Sequence, residues 1–301
     1  MLLTLALVGL ALTQDTDTTF AVSPGTRLDV NNQGGEIIVR AWNENRVRLR
    51  ASHSSRDRIE IDVSGSVVTV RSTGRHGNSQ LVDYDISVPQ WMAVNLSGVY
   101  TDMRVEGTNA AVTVETVEGD IDLRGGSGTV TLQSVEGAVT VTDTRGRVDV
   151  NSVEGEIRIT GASGEIVAET VDGDIVLERI ESASVDVNSV DGDIYYDGTI
   201  NNSGRYHIAT HDGDLTVAIP ERANVTVTVS SFDGEFDSSF PVQLREQHKR
   251  RFSFVIGTGS ARLELETFDG DILLRRPAEM RSSRDRERER DHKDDHDMDR
   301  Q

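Results

Sequence analysis

The stretch VEGDIDLRGGSGTVTLQSVEGAVTVTDTRGRVDVNSVEGEIRITGASGEIVAETVDGDI, residues 117–175, decides the fold. Its glycines at 119, 128, 137, 146, 155, 164 and 173 hold a spacing of nine. A fixed period of this kind marks a repeat architecture, in which each unit buries its apolar side against its neighbours. Two nonapeptides alternate. One turns through apolar–acid–Gly–acid–apolar, as in Val117-Glu118-Gly119-Asp120-Ile121, Val153-Glu154-Gly155-Glu156-Ile157 and Val171-Asp172-Gly173-Asp174-Ile175. The other turns through plainer segments such as Ser127-Gly128-Thr129 and Arg145-Gly146-Arg147, so the true unit is about 18 residues. The acidic turn returns with looser spacing at Gly192, Gly213, Gly234 and Gly270.

Between turns the pattern has period two. Ile121 and Leu123, Val130 and Leu132, Val139 and Val141, Val148 and Val150, and Ile157 and Ile159 flank Asp122, Thr131, Thr140, Asp149 and Arg158. In a strand these two sets point to opposite faces. Each half-repeat is therefore a short strand with one dry face, ended by a glycine free to take positive φ. An antiparallel meander would leave all the dry faces on one side of a single sheet, and no helix pattern is available to cover them. Two facing sheets cover each other. The expected fold is all-β, a parallel two-sheet β-solenoid whose coils stack about 4.8 Å apart.

Outside the repeat, residues 19–103 alternate as strands without the glycine clock and are expected to form an N-terminal β cap and the opening strands. Within them, Ser64-Gly65-Ser66 has the form of a hairpin turn. The solenoid proper is expected over 104–277. Residues 281–301, RSSRDRERERDHKDDHDMDRQ, hold one apolar residue and near-balanced charge, the composition of a disordered, solubilising tail. His292 and His296 lie in it beside several Asp residues. At the other end, MLLTLALVGLALT, residues 1–13, is too short to span a bilayer but fits the apolar part of a signal peptide, though no Lys or Arg precedes it.

Charge narrows the partners. Formal net charge is −20, and residues 101–280 carry 33 acids against 15 bases. Such a surface repels nucleic-acid phosphates and anionic lipid headgroups and favours cations or basic partners. Cysteine is absent, which removes disulfides, thiolate metal sites and thiol nucleophiles. No HExxH or G-x-S-x-G occurs; Gly125-Gly126-Ser127-Gly128 fails the latter because Thr129 follows. The expectation is a non-enzyme with no catalytic residue and no resident cofactor.

The acid pairs of the turns are the feature to weigh. In register they stack into columns, Glu118, Glu136, Glu154, Asp172 and Asp191 in one, and Asp120, Glu156, Asp174 and Asp193, broken at Ala138, in the other. Bare carboxylates about 5 Å apart repel by roughly 1 kcal/mol in water, so a column must be solvated, bridged by cations, or tied to turn N–H groups. The spacing resembles that of the calcium-binding β-roll, but its tandem glycines are missing, and calcium needs more oxygens than one acid on each side of a glycine supplies. The acids of the fully paired turns, Glu118, Asp120, Glu154, Glu156, Asp172, Asp174, Asp191 and Asp193, remain candidates for a weak calcium ladder. The looser segments 201–205 and 238–251 are where a cleft has room to form, near Tyr195, Tyr206 and His207, which are the candidate ligand-surface residues for a glycan.

Three features together resemble a bacterial family of adhesin-like proteins of unknown function built from β-strand repeats. They are Leu28-Asp29-Val30-Asn31 leading through Gly35, Ile37 and Val39 to Ala41-Trp42 and Val47; Val82-Asp83-Tyr84-Asp85-Ile86-Ser87-Val88-Pro89; and the repeated acidic turn. The likeness covers roughly residues 20–277. It implies an exported β-solenoid acting at the cell surface or envelope, adhesin-like or structural, with no transmembrane span. The alternatives are a glycan- or basic-protein-binding module, cation-assisted or not, and a polysaccharide-active solenoid enzyme.

Overall fold

The computed structural model describes residues 13–74, 81–242, 244–248 and 250–279. The stretch expected to be a signal peptide, up to residue 12, and the charged tail with His292 and His296 lie outside them. The described chain is all-β apart from one helical turn at 277–279.

Strands 18 residues apart pair in parallel. Val130 stands opposite Val148, and Val148 opposite Ile166. In the second half of each unit Ile121 stands opposite Val139, and Val139 opposite Ile157. Two parallel ladders result. One contains Val112–Glu115, Ser127–Gln133, Arg145–Asn151 and Ser163–Glu169. The other contains Ile121–Arg124, Val139–Thr142 and Ile157–Thr160. The long strand Ile175–Asp191 serves both, its first residues pairing with Ile157–Thr160 and its last with Ser163–Glu169. The parallel register rules out the antiparallel meander for the repeat.

The dry faces fall where the alternation puts them. Ile121, Leu123, Val130, Leu132, Val139, Val141, Val148, Val150, Ile157 and Ile159 are all at most 1% exposed and join one core with residues of both ladders. Each side chain of this kind contributes roughly 1.5–3 kcal/mol on burial. That gain is spread evenly along the coils.

Glycine keeps time for a steric reason. Gly137, Gly155 and Gly173 have φ between 135° and 144°. A Cβ on Gly155 would sit 2.3 Å from the carbonyl oxygen of Gly137, and one on Gly173 2.5 Å from that of Gly155. The coils touch backbone to backbone at this corner, and no other residue fits there.

Both ends of the stack depart from the parallel pattern. Ala93–Glu106 and Arg27–Trp42 pair in parallel across both ladders, from Arg27 opposite Ala93 to Arg40 opposite Glu106. Beyond them, Val67–Gly74 is covered by antiparallel Asp57–Ser64 through the turn at Gly65. Asp83–Pro89 is covered by antiparallel Arg46–Ser54, and that in turn by Thr13–Ala21.

At the other end chain order and spatial order part company. Arg205–Asp212 pairs with Ala261–Asp269, and Ala261–Asp269 with Val225–Asp233. The coil of Gly270 is thus inserted between those of Gly213 and Gly234, whereas the sequence suggests a stack in chain order. Arg251–Ile256 then pairs antiparallel with the outer edge of Val225–Asp233, and Leu244–His248 with Arg251–Ile256.

Candidate functional site

The acidic turns form one edge of the molecule, and they repeat one five-residue pattern, from which His211 and Ala138 depart. The first position is a hydroxyl. Thr116, Ser134, Ser152, Thr170, Ser189, Thr210 and Thr267 are all buried. Thr210 donates to the Gly192 carbonyl at 3.0 Å, Thr116 to that of Thr101 at 3.2 Å and Thr267 to that of Gly213 at 3.3 Å. These bonds tie their coils to the ones behind, whereas the buried hydroxyls of Ser152 and Thr170 have no hydrogen-bond partner.

The second position points out. Val117, Val135, Val153, Val171, Val190, Phe268 and Phe232 are 41–51% exposed, although all are apolar. Register places them in one file with His211 between Val190 and Phe268. The rings of His211 and Phe268 stack at 4.8 Å, and those of Phe268 and Phe232 at 4.5 Å. At the end of the file the guanidinium of Arg250 lies 3.1 Å from the centre of the Phe232 ring.

The third position is the first acid column. Glu118, Glu136, Glu154, Asp172 and Asp191 are linked by parallel bridges, and Asp212, Asp269 and Asp233 continue the file in register. All eight are exposed. Among the described residues none is in an ion pair. The contrast with the outward faces of the strands is plain, where Arg104 pairs Asp122, Arg147 pairs Glu165 and Arg40 pairs Asp85.

The fifth position, after the glycine, is the second acid column, and its role is structural. Oδ1 of Asp120 accepts the N–H of Ala138 at 2.8 Å, and Oδ1 of Asp174 the N–H of Asp193 at 2.9 Å. Asp193 accepts from Asp214, Asp214 from Asp271 and Asp271 from Glu235, at 2.7–2.8 Å. Each aspartate thus bonds the backbone of the next coil. Glu156 instead turns to Arg158. One oxygen of most of these acids is therefore engaged by protein. Among the described residues no three His, Asp or Glu side chains converge as a metal would need.

The three ligand-surface candidates do not form a site. Tyr206 is buried at 1% exposure, so it is not the exposed ring that a glycan would need. Its hydroxyl donates to the Ser182 carbonyl at 2.7 Å and accepts the Asn201 N–H at 2.8 Å, pinning the loop at 201–204. Burial pushes the Tyr206 hydroxyl up from its ordinary pKa. Tyr195 and His207 are half-buried and belong to different ladders. The His207 ring lies 3.0 Å from Asp186 of the preceding coil.

An open depression of about 650 Å³ borders the looser segment at Asn201, lined also by Glu181, Ser182, Thr199 and Ile200, and a second groove lies on the acidic edge. It runs along the compact turns, with about 490 Å³ between the file of Val117, Val135 and Val153 and the facing side chains of Glu115, Gln133 and Asn151. The apolar file is the feature that the sequence reading passes over. A signal for it exists, a hydroxyl residue always preceding the apolar one.

Among the described residues no helix is long and apolar enough to cross a membrane. No curated protein matches the chain. Three solved structures are similar to it. A candidate cell adhesion protein from Clostridium sporogenes shares 11% identity, over 87% of this chain and 100% of that one, at a TM-score of 0.21. A candidate adhesin from Parabacteroides merdae shares 14%, over 70% and 92%, at 0.24. A candidate lipid binding protein from Parabacteroides distasonis shares 10%, over 86% and 96%, at 0.28. The family model described as Toastrack DUF4097 matches residues 25–275, and the chain belongs to that family.

Proposed function

We propose that the protein is an exported, non-enzymatic component of the cell surface or envelope, adhesin-like or structural, that works through its acidic edge. The two ladders are read as the facing walls of a parallel β-solenoid over residues 104–277, closed at one end by a cap over 19–103. Residues 1–13 act as the export signal and 281–301 as a charged tail. The reading needs no cofactor.

One observation carries it. The same outward-facing group of side chains is repeated along one edge at a constant interval, while the polar groups bonded inside the fold serve the coils themselves. The hydroxyls most displaced from their ordinary pKa, Tyr84 and Tyr196, are buried core residues shifted by desolvation. A catalytic centre would gather such groups in an open cleft. A repeated edge suits a partner that is itself extended.

Fractionation of the producing cell, with the protein carrying an epitope tag before the charged tail, tests the reading. Recovery from the periplasm, the cell surface or the medium is expected. Retention of the mature chain in the cytosol overturns it.

A further inference from the structure

Apolar side chains are not randomly placed on this surface. Of the eleven large apolar residues exposed among the described ones, seven belong to the single file from Val117 to Phe232. The others, Val63, Leu81, Tyr100 and Val242, lie outside it. A contiguous apolar patch rimmed by polar groups marks an interaction site. This one is long and narrow, one side chain wide, with a rung about every 4.8 Å. Directly beside it runs the file of eight carboxylates, which no cation of the described chain neutralises.

Several occupants are disfavoured by the same geometry. A second copy of the chain would bring its own carboxylates against these, so packing file on file sets like charges together. An anionic membrane surface meets the same repulsion. A glycan needs aromatic platforms and converging hydrogen-bond groups, whereas five of the rungs are valine. What satisfies both files at once is a chain with aliphatic groups on one side and ammonium or guanidinium groups on the other.

We propose that this edge is a docking track for an extended, cationic segment of another protein, held in the polyproline II conformation. The inference rests on the surface-acting reading above and names the class of partner. Pitch selects the conformation. Three residues of polyproline II advance about 9.3 Å, close to the roughly 9.6 Å of two rungs. Same-face residues of a strand recur about every 6.8 Å, and a helix turn advances about 5.4 Å, so both fall out of step within a few rungs. In the matched register one aliphatic side chain meets every second valine, and one basic side chain faces every second carboxylate. At the far end of the apolar file, where its rungs are aromatic, the Arg250 guanidinium covers the Phe232 ring. A cation over an aromatic face is attracted by the ring quadrupole.

The test uses fluorescence anisotropy of the full chain with a labelled twelve-residue peptide, four repeats of Val-Pro-Lys. Saturable binding is expected at low salt. It should weaken at least tenfold for the matching Ser-Pro-Lys peptide and vanish for Val-Pro-Glu. Two variants probe the protein: Val117→Ser with Val135→Ser, Val153→Ser and Val171→Ser; and Glu118→Gln with Glu136→Gln, Glu154→Gln and Asp172→Asn. Each changes exposed side chains, and unchanged circular dichroism shows that the coils persist. Each should weaken the Val-Pro-Lys peptide at least tenfold. Equal affinity for the Ser-Pro-Lys peptide or for the valine variant reduces the track to nonspecific charge and overturns the proposal, as does the absence of saturable binding. An envelope location found by fractionation alongside a negative peptide result sinks this inference while leaving the surface reading intact.

Discussion

At the corner of each coil a single hydrogen atom of glycine fills the space where a methyl group would collide with a neighbouring carbonyl. Gly155→Ala places that methyl 2.3 Å from the Gly137 oxygen at a φ of 139°. The coils would have to separate, and a loss of about 3 kcal/mol is expected. Gly128→Ala is the control. It also sits at positive φ, 84°, but nothing lies within 4 Å of its Cβ position. The expected cost there is about 1 kcal/mol, backbone strain alone. Urea midpoints of the two variants separate close approach from dihedral preference. The buried tyrosines give a second prediction at this scale. Desolvation pushes Tyr84 up to about 12 and raises Tyr196 and Tyr206 as well. Above pH of about 10 the unfolded chain releases these protons while the folded chain keeps them. Stability should therefore be flat near neutrality and fall as pH rises from about 10, by about 1.4 kcal/mol per pH unit for each such tyrosine. Denaturation by urea across this range should show a shallower fall for Tyr196→Phe.

The turn as an element is stitched to the next one by an aspartate. Asp120→Ala removes the acceptor for the Ala138 N–H and should cost about 1 kcal/mol. Asp120→Asn keeps an acceptor and sheds charge in a crowded column, so it should be neutral or stabilising. Glu156→Asp would complete a bond to the Asp174 N–H that the longer side chain leaves unmade, with a gain of about 0.5–1 kcal/mol. Thermal melts of the three variants rank them. Much of this was readable beforehand. The spacing of nine and the alternation of Ile121, Leu123 and their equivalents give the parallel coil and its interior. The direction of Val117 was readable only from the hydroxyl residue before it, because the turn reverses parity. Val112, Val114 and Thr116 are buried at even numbers, then Ile121 and Leu123 at odd ones. A residue between the two runs belongs to neither. Tyr206 was legible and missed, since it stands two places before buried Ile208 and shares its face. The inverted order of the last coils was hidden for another reason. Phe232-Asp233-Gly234 and Phe268-Asp269-Gly270 are interchangeable as turns, and spacing says nothing of which is outermost.

On the scale of the whole molecule, two forces act along the long axis. Repulsion within the carboxylate files weakens the stack, so raising sodium chloride from about 20 mM to about 0.5 M should raise the melting temperature by screening it. Scanning calorimetry reads this directly. A fall would mean that the exposed ion pairs outweigh the files. Edge pairing is the opposite hazard. The hairpin of Leu244–His248 and Arg251–Ile256 covers the last parallel strand, and its own Phe254 is fully buried. Phe254→Asp should release that hairpin and leave the edge open to other chains. Concentration-dependent oligomers in light scattering, with β circular dichroism retained, are the expected outcome.

The insertion of Ala261–Asp269 between Arg205–Asp212 and Val225–Asp233 bears on how the chain is made. Most of a stacked array can settle turn by turn as it emerges from the ribosome or a translocation pore. The final rows of this one cannot: a place must be held vacant until the closing segment arrives to wedge into it. The polypeptide so carries a latch that is thrown only when Asp269 has been made, and until then those rows stay unfinished.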